Sequence, residues 1–368
     1  MKILVGMIIL ILICLILVIF ESWRENRKVK VVHYQYPNFP LKNWVGTKIM
    51  LLTDLHNCVY GRENETLLSL VRKQSPDLIL IAGDMLVGKP KKEFKEAVHF
   101  LNQLAELKIP IYYAHGNHEL RLKLYPEQYG DMYERFRKEL SPDINFLLNE
   151  SVTLDKNGEK LKIFGLDLDK KYYQRFKKTP MEENYLTDLW EKDRIINEQK
   201  QKDKVENEQK QKDKAENEQK QKEKAENEQN QKNKTQNEQK QIDTTQNEQN
   251  PSNNTKIELN QKDKNKKNSN KSVKEKKIFQ ILIAHNPLYF EEYSDFGVDM
   301  VVSGHYHGCM VRIPVLGGIL SPQIGFFPKY VAGEYREKNS VLYLSAGLGN
   351  HSIKLRIGNI PEIVVITL

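Results

Sequence analysis

The chain is poor in cysteine, with three in 368 residues. Cys14 lies in an apolar N-terminal segment, and Cys58 and Cys309 stand far apart with no C-x-x-C spacing. This pattern excludes a disulfide framework and a cysteine-rich zinc knuckle. Cys309 directly follows a histidine pair motif, but we interpret it as a small packed residue and leave it out of the metal ligands.

Residues 191–277 contain almost no apolar side chains. A ten-residue unit repeats there, and Asn-Glu-Gln restarts at positions 197, 207, 217, 227, 237 and 247. A solenoid needs an apolar face and a coiled coil needs apolar positions about every 3.5 residues, so both are excluded. We predict a disordered low-complexity insert in a surface loop. It acts either as a solvated spacer or as a tether that contacts other proteins or the cell wall.

Clustered basic residues are scarce as well. The chain has 57 Lys and Arg against 49 Asp and Glu, a formal net charge of +8, and residues 197–276 hold 20 Lys against 16 acidic residues. The repeat therefore supplies +4 of the +8. A nucleic-acid groove needs Lys and Arg clustered with aromatic residues on a folded surface. The sequence thus gives no strong nucleic-acid signal.

One long apolar run is present, the 18 uncharged residues Ile3–Phe20. A helix of this length spans about 27 Å, close to the roughly 30 Å hydrocarbon core of a bilayer. No small-x-small cleavage site follows it, which favours an anchor over a removed signal peptide. We predict a transmembrane signal anchor over residues 1–22 and a single-pass protein of the cell membrane.

The side of the membrane is left open by the flanking charges. Four basic residues between positions 24 and 30 outweigh Lys2, and the positive-inside rule would then place the rest of the chain in the cytoplasm. Acidic neighbours and the very short N-terminal tail act against that assignment.

Five short polar motifs each stand where an apolar run ends. They are Asp54-Leu55-His56, Gly83-Asp84, Gly116-Asn117-His118-Glu119, His285-Asn286 and Gly304-His305-Tyr306-His307-Gly308. Such runs predict buried parallel strands that deliver side chains to the carboxyl edge of a sheet, where ligands of α/β sheets collect. Five of the nine histidines fall in these motifs. Together the motifs indicate a set of metal ligands.

The remaining chain alternates predicted strands with amphipathic segments. Helices are expected at Glu65–Lys73, Lys91–Leu107 and Gln128–Leu140. The later segments Val341–Ser345 and Ile363–Leu368 predict a second, more antiparallel sheet that faces the first. We therefore predict an α/β (α+β) fold with two facing mixed β-sheets flanked by helices. It forms one domain over residues 31–368, interrupted by the insert.

The order D-x-H, G-D, G-N-H-E, H and G-H-x-H resembles the signature of the calcineurin-like metallophosphoesterase superfamily, which implies that superfamily's four-layer sandwich. The resemblance covers about Thr47–Leu368 apart from the insert. The segment Ser345–Asn350 is similar to the membrane-anchored bacterial branch. That branch commonly has two glycines and a glutamine after the second histidine, whereas Cys309 and Met310 follow Gly308 here. This departure bears on substrate preference and touches no ligand.

The resemblance implies two divalent metal ions. It assigns Asp54, His56, Asp84 and His307 to the first, and Asp84, Asn117, His285 and His305 to the second. Carboxylate, imidazole and amide ligands suit Mn²⁺, Fe²⁺ or Zn²⁺. By the same resemblance, Asp84 bridges the ions and a hydroxide between them attacks phosphorus. His118 is the second catalytic residue, which protonates the leaving oxygen or stabilises transition-state charge.

Other polar residues keep two interpretations. Glu119 either orients His118 or caps the following helix, and Arg312 contacts either a substrate phosphate or its own strand edge. His33, His99, His115 and His351 are interpreted as structural, although His351 could face the pocket.

These observations predict a membrane-bound, metal-dependent phosphoric ester or pyrophosphate hydrolase. The anchor motivates a lipid-linked or envelope-associated substrate, and the substrate-binding residues are not identifiable from the sequence. The alternatives are a phosphodiesterase or nuclease that acts on nucleotides, and a non-catalytic, membrane-tethered interaction protein that works through the repeat.

Overall fold

The computed structural model describes residues 2–174, 177–241, 278–313, 316–321, 325–350 and 354–368. The chain divides into two compact units. One comprises Met1–Asp193 and Lys276–Leu368, and the other comprises Arg194–Glu275. The second unit lies within the insert predicted from the sequence, residues 191–277. The predicted domain bounds themselves stay a prediction.

The first sheet is built largely from short apolar runs. In sheet order its strands are β1 (Lys30–Gln35), β14 (Glu362–Thr367), β2 (Lys48–Leu52), β3 (Leu78–Ile81), β4 (Ile111–Tyr113) and β5 (Ile144–Phe146). β14 runs antiparallel to β2, and the other neighbouring pairs are parallel. Every residue of β3 and β4 is buried, as expected where both faces of a parallel sheet are covered.

The second sheet also has a parallel centre. In sheet order its strands are β12 (Gly333–Glu337), β13 (Ser340–Leu344), β9 (Met300–Ser303), β8 (Ile278–Ala284), β7 (Glu159–Leu166) and β6 (Glu150–Lys156). Only the pairs at its two edges, β12 with β13 and β6 with β7, are antiparallel. A separate antiparallel hairpin joins β10 (Val311–Ile313) to β11 (Gly317–Leu320).

Helices cover the outer faces of both sheets. The described helices are α1 (Lys2–Glu25), α2 (Glu65–Gln74), α3 (Lys95–Glu106), α4 (Asn117–Leu124), α5 (Pro126–Tyr129), α6 (Met132–Glu139), α7 (Tyr185–Gln241) and α8 (Phe290–Phe296). Leu101 and Leu104 of α3 pack on the first sheet, and Phe290 of α8 packs on the second. A third apolar cluster, which includes Leu51 and Ile281, joins the two sheets. The fold is the expected four-layer sandwich.

As expected, the second sheet is more antiparallel than the first, with two antiparallel pairs against one, although its centre is parallel. One sequence-based expectation about the sheets is wrong. The C-terminal strand belongs to the first sheet, where Val364 pairs with Leu51, and not to the second. A short apolar strand fits the centre of either sheet, so its sequence alone does not select its neighbours.

The N-terminal helix α1 is apolar and exposed over most of its length. Its apolar 18-residue window has a mean hydropathy of 3.7, and none of that window is buried. Its length and composition suit a membrane span, and a signal sequence has the same properties. The last turn differs, because Ser22 and Glu25 are each only 4% exposed.

The repeat is helical as far as the structure describes it, where the sequence predicted disorder. α7 continues to Gln241, and residues 242–277 lie outside the described residues. The described side chains from 198 to 214 are all exposed, so this tract contributes no core, as expected. Lys, Glu and Gln favour helix, and pairs four residues apart add support, such as Glu206 with Lys210 at 2.7 Å.

Candidate metal centre

The polar motifs meet where five strands end. β2 leads to Asp54 and His56, β3 to Asp84, β4 to Asn117 and His118, β8 to His285, and β9 to His305 and His307. Three groups of these side chains could each hold a metal ion, with ligand atoms within 4.8 Å of one another. Six of the seven ligands predicted from sequence belong to these groups.

The first group contains Asp54, His56 and His307, all buried. The Nε2 atoms of His56 and His307 are 3.2 Å apart, and His307 Nε2 lies 3.3 Å from Asp54 Oδ1. His56 Nε2 lies 3.8 Å from the same carboxylate oxygen. Two imidazoles and one carboxylate that face a common point form a donor set suited to a divalent ion.

The second group contains Asp84, His285 and His305. His285 Nε2 lies 3.3 Å from both Asp84 Oδ2 and His305 Nδ1. Asp84 Oδ2 also lies 3.7 Å from His56 Nε2, which belongs to the first group. One carboxylate oxygen therefore stands between the first two groups. The third group contains His56, Asp84 and His118, so it shares one residue with each of the other two.

Each aspartate is held so that one oxygen faces the histidines. Asp54 Oδ2 accepts the backbone N–H of His305 at 3.0 Å and the Thr53 hydroxyl at 2.9 Å. Asp84 Oδ1 accepts the backbone N–H of His118 at 2.7 Å. These contacts leave Asp54 Oδ1 and Asp84 Oδ2 turned towards the imidazoles, and Asp54 Oδ1 has no hydrogen-bond partner within the described chain.

Two imidazoles are aimed by backbone carbonyl groups. His285 Nδ1 lies 2.6 Å from Ala82 O, and His307 Nδ1 lies 3.1 Å from Gly349 O. A proton on Nδ1 satisfies each carbonyl and leaves the lone pair of Nε2 to bind a metal ion. Metal-bound histidines are commonly oriented in this way by their second nitrogen.

The electrostatics of the centre also suit cations. Burial acts to raise the pKa of the Asp54 carboxyl, but His307 and His56 outweigh it and hold that pKa below its ordinary range. The pKa of Asp84 is likewise lowered, because His285 and His118 overcome the effect of burial. Burial acts to lower the pKa of His285, yet Asp84 raises it to about 9. Buried carboxylates thus draw positive charge to this point.

Asn117 supplies an unusual buried acceptor. It is 6% exposed, and its side-chain oxygen has no hydrogen-bond partner within the described residues. A buried amide oxygen without a partner is costly in a folded protein. A metal ligand role would satisfy it, and the donor set therefore fits the metal ions that the sequence implies.

His118 is held in one tautomer. Its Nδ1 accepts the backbone N–H of Gly88 at 2.7 Å, so the ring proton is carried by Nε2. That nitrogen lies 3.9 Å from Asp84 Oδ2, and the ring is 6% exposed. His118 therefore presents an N–H donor to the centre.

Glu119 acts on the backbone and not on His118. Its fully buried carboxylate accepts the N–H groups of Asp84 and Met85, both at 2.9 Å, and that of Gly116 at 3.0 Å. The Tyr113 hydroxyl donates a fourth hydrogen bond at 2.7 Å. Of its two sequence interpretations, helix capping is present. The contact with the Asp84 loop was missed, because no local pattern indicates it.

The ligand positions carry backbone strain. Positive φ angles occur at five of the seven predicted ligands: Asp54 (53°), His56 (47°), Asp84 (53°), His305 (77°) and His307 (50°). Left-handed backbone is uncommon for residues other than glycine, and such strain clusters at functional sites.

Close backbone packing holds two of the motifs together. A Cβ on Gly83 would lie 2.1 Å from the Gly116 nitrogen, and a Cβ on Gly116 would lie 2.2 Å from Asp84 Oδ1. Only glycine allows this approach at either position. The glycines of the G-D and G-N-H-E motifs therefore set the distance between Asp84 and the start of α4.

A loop after β13 completes the support. Arg356 is 1% exposed and donates to the carbonyls of Ala346 at 2.8 Å and Gly349 at 2.6 Å. Asn359 Nδ2 donates to His307 O at 2.6 Å. Neither residue is predicted from the sequence, since their roles depend on contacts between distant segments.

The histidines that the sequence analysis interprets as structural do not belong to the ligand groups within the described residues. His115 Nδ1 lies 3.4 Å from Asp167 Oδ1, and Lys123 donates to the other oxygen at 2.9 Å, so His115 joins a separate ion-pair cluster. His99 is half-exposed on α3. His351 lies outside the described residues.

Cys309, His33 and Arg312 lie in the core or in strands. Cys309 is buried, and burial raises the pKa of its thiol to about 11. His33 lies within β1. Arg312 lies within β10, where its backbone N–H donates to Ile357 O at 2.8 Å, as a strand role requires.

The chain has two facing sheets and a buried group of His and Asp side chains where the strands end. These features are those of a metal-binding α/β sandwich protein. Residues 47–212 match the family model described as calcineurin-like phosphoesterase. Over this segment, somewhat less than half of the chain, the protein is similar to that family.

Curated relatives share part of the chain. YkuE, an uncharacterized metallophosphoesterase of Bacillus subtilis, is 35% identical over 92 residues, which cover 25% of this chain and 32% of the relative. An uncharacterized metallophosphoesterase of Campylobacter jejuni is 32% identical over 132 residues, which cover 35% of this chain and 32% of the relative. The matches therefore span about a third of each relative's length.

Among solved structures, the NAD nucleotidase of Haemophilus influenzae matches 82% of this chain and 45% of its own. The sequence identity is 12% and the TM-score is 0.36. A TM-score this low carries no inference about fold or substrate.

Proposed function

We propose that this protein is a dinuclear, metal-dependent phosphoric ester hydrolase. The observation that carries the proposal is the position of Asp84, whose Oδ2 faces histidines of both ligand groups. A carboxylate placed between two donor sets is suited to bridge two ions. The similarity of residues 47–212 to the calcineurin-like phosphoesterase family supports the same reaction class.

The proposed ligands follow the two groups. The first ion is assigned to Asp54, His56, Asp84 and His307, and the second to Asp84, Asn117, His285 and His305. The unpartnered Asn117 oxygen supports its inclusion. The mixture of carboxylate, imidazole and amide, with the thiol of Cys309 left out, suits Mn²⁺, Fe²⁺ or Zn²⁺.

Divalent ions at such a centre lower the pKa of a shared water and withdraw charge from phosphoryl oxygens. The chain's own part is to position the reacting groups. Asp84 is held by Glu119 and by the N–H of His118, and His118 directs its Nε2–H towards the same point. We assign to His118 the donation of a hydrogen bond or proton to the leaving oxygen.

We propose that the N-terminal helix stays attached as a membrane anchor. Glu25 accepts the backbone N–H groups of Gly358 and Asn359, each at 3.1 Å, and Ser22 Oγ accepts that of Arg356 at 3.1 Å. Removal of the helix would strip partners from a loop that supports the metal centre. The proposal does not specify on which side of the membrane the catalytic domain lies.

A site tied to a membrane helix suits a lipid-linked or envelope-associated phosphate substrate. Hydrolysis of lipid phosphates presented in micelles, compared with soluble nucleotides, tests this part. Turnover of soluble nucleotides alone would reject the lipid-linked substrate and leave the reaction class in place.

Two alternatives have distinct signatures. A nuclease would show DNA cleavage that falls steeply with salt, because phosphate contacts release counterions. A non-catalytic interaction protein would bind a protein or cell-wall partner through the repeat and would lose that binding, but no hydrolysis, when residues 194–275 are deleted.

The test of the reaction class uses the full chain in detergent with Mn²⁺ and para-nitrophenyl phosphate or its bis-ester. Asp84→Asn should abolish turnover, and His118→Ala should lower it by about 10² to 10⁴. His99→Ala is the matched control, since His99 is half-exposed on α3. Stoichiometric metal binding without cleavage of either ester, in wild type, would contradict the proposal.

A further inference from the structure

A small cavity of about 190 Å³ opens beside the metal centre. It lies between the first turns of α4 and the segment that follows β7. Its lining includes Asn117, Arg121, Leu124, Tyr125, Lys170 and Tyr173. At about 30 Å³ per water molecule, the cavity has room for about six waters, or for a group of phosphate size.

The cavity borders the candidate centre. Asn117 lines it and is one of the proposed ligands. Tyr173 lines it from the other side, and its ring centroid lies 5.6 Å from that of His305 and 6.1 Å from that of His285. A group bound in the cavity would therefore be joined to a group bound at the metal ions by only a few bonds.

Polar groups face this cavity without protein partners. Within the described residues, the Arg121 guanidinium and the Tyr173 hydroxyl make no hydrogen bond or ion pair. Hydrogen-bond donors without acceptors around one cavity indicate a ligand that accepts hydrogen bonds.

Positive charge is the second property of the cavity. Lys170 lies with its ammonium group 4.2 Å from the centroid of the Tyr125 ring and donates a hydrogen bond to that hydroxyl, so it meets no carboxylate in this contact. The neighbouring cations differ, because Lys123 pairs with Asp167 and Lys171 pairs with Glu182. Arg121 and Lys170 thus leave their charge available to an anion.

We propose that this cavity binds a second phosphate of the substrate, the one that departs, so that the bond cleaved is a pyrophosphate bond. The inference rests on the proposed hydrolase function of the adjoining metal centre. A guanidinium with no carboxylate partner suits a phosphate, which it can bind through two hydrogen bonds. An uncharged alcohol as leaving group would leave Arg121 without a partner.

The reaction balances as a hydrolysis. The oxygen of water forms a bond to the phosphorus at the metal centre, and the bridging P–O bond breaks with its electron pair on the departing phosphate. One proton of the water stays on the new phosphate monoester, and the other passes to the departing phosphate or to solvent. Arg121 and Lys170 stabilise the charge that develops on the departing group.

The kinetic test compares two substrates on the full chain in detergent with Mn²⁺. UDP-glucose releases a phosphate monoester, whereas para-nitrophenyl phosphate releases a phenol. Arg121→Met should lower kcat/KM for UDP-glucose by about 10- to 100-fold, the size of a lost hydrogen bond to a charged group. It should lower para-nitrophenyl phosphate hydrolysis by a much smaller factor, because the phenol that departs carries no phosphate for Arg121 to bind. Equal effects of Arg121→Met on both substrates would overturn the proposal.

The matched control is Arg72→Met, which removes an exposed arginine on α2 that does not line the cavity. It should leave both activities unchanged. A loss of UDP-glucose hydrolysis as large as that in Arg121→Met would show a general charge effect and reject the pocket.

A binding measurement separates this inference from the proposed function. Uridine monophosphate is titrated calorimetrically into protein stripped of metal with a chelator. Binding should be present in wild type and in Arg72→Met and lost in Arg121→Met. If wild type binds no better than Arg121→Met, the phosphate pocket is wrong even where para-nitrophenyl phosphate is cleaved. If binding depends on Arg121 but no ester is cleaved, the pocket stands and the hydrolase function fails.

Discussion

Replacement of Glu119 by Gln tests how the metal centre is held. In wild type, Oε2 accepts the N–H groups of Asp84 and Gly116, and Oε1 accepts the Met85 N–H and the Tyr113 hydroxyl. A glutamine keeps one oxygen, which can retain two of these four bonds. Its NH₂ group then faces the Met85 N–H, and that buried donor loses its acceptor.

The magnitude follows from these contacts. A buried donor without an acceptor costs about 1–3 kcal/mol, and hydrogen bonds to a neutral amide contribute about 1 kcal/mol less each than bonds to a carboxylate. With two retained bonds, Glu119→Gln should lower the free energy of unfolding by about 3–5 kcal/mol. Because Asp84 moves with its backbone, Mn²⁺ affinity should also fall by about 10- to 100-fold, as is typical when support for a metal ligand is removed.

Urea unfolding and Mn²⁺ titration of the full chain measure both effects. Tyr113→Phe is the matched control, since it removes one donor to Glu119 and leaves the three backbone bonds in place. It should cost about 1 kcal/mol and leave metal affinity nearly unchanged. The reasoning is refuted if Glu119→Gln is as stable as Tyr113→Phe and binds Mn²⁺ as tightly as wild type.

Three further predictions concern pH, the repeat and the anchor. Asp84 raises the pKa of His285 in the folded protein from 6.5 to about 9. In chelator-treated protein, the His285–Asp84 pair should therefore contribute its full stabilisation below about pH 6.5 and lose it as the pH rises through about 9. Urea denaturation between about pH 6 and 10 should show this loss, and His285→Gln should abolish the pH dependence. Replacement of residues 194–275 by a short Gly-Ser linker should keep para-nitrophenyl phosphate turnover within about twofold of wild type, and a larger loss would give the repeat a catalytic role. Glu25→Ala should lower the free energy of unfolding by about 2–4 kcal/mol, because it leaves the backbone N–H groups of Gly358 and Asn359 without their acceptor. An unchanged melting temperature would contradict the contacts of Glu25.

The candidate centre was largely predictable because its residues follow strands. A buried strand such as β3 can be recognised from its own apolar run, and parallel neighbours end at the same edge. Asp54 and Asp84 therefore had to lie near one another once the strands were assigned, and this inference needed only the direction of the strands. His285 follows β8 of the second sheet, so its place beside the two aspartates was predicted from the order of the motifs and the family resemblance.

The supporting contacts were not predictable in the same way. Glu119 reaches the backbone of Asp84, which is 35 residues away, and Asn359 reaches His307, which is 52 residues away. Neither contact leaves a local pattern, because a buried Glu or Asn looks the same in sequence as an exposed one. The sheet assignment of β14 failed for a related reason, since any central strand can be equally apolar.

The apolar helix α1 and the candidate metal centre share a loop, and this connection bears on the proposed substrate. Glu25 holds the backbone of Asn359, whose side chain in turn holds the carbonyl of His307. Arg356 donates its N–H to Ser22 and its guanidinium to Gly349 O, the carbonyl that also lies 3.1 Å from His307 Nδ1. Two routes of hydrogen bonds therefore run from the last turn of α1 to one proposed ligand. Because these contacts are direct and buried, the centre lies at a fixed position relative to the end of the apolar helix. Where α1 serves as the membrane anchor that we propose, a flexible tether would let the site meet soluble substrates at any distance from the bilayer, whereas this attachment favours the proposed phosphate substrate at the membrane surface.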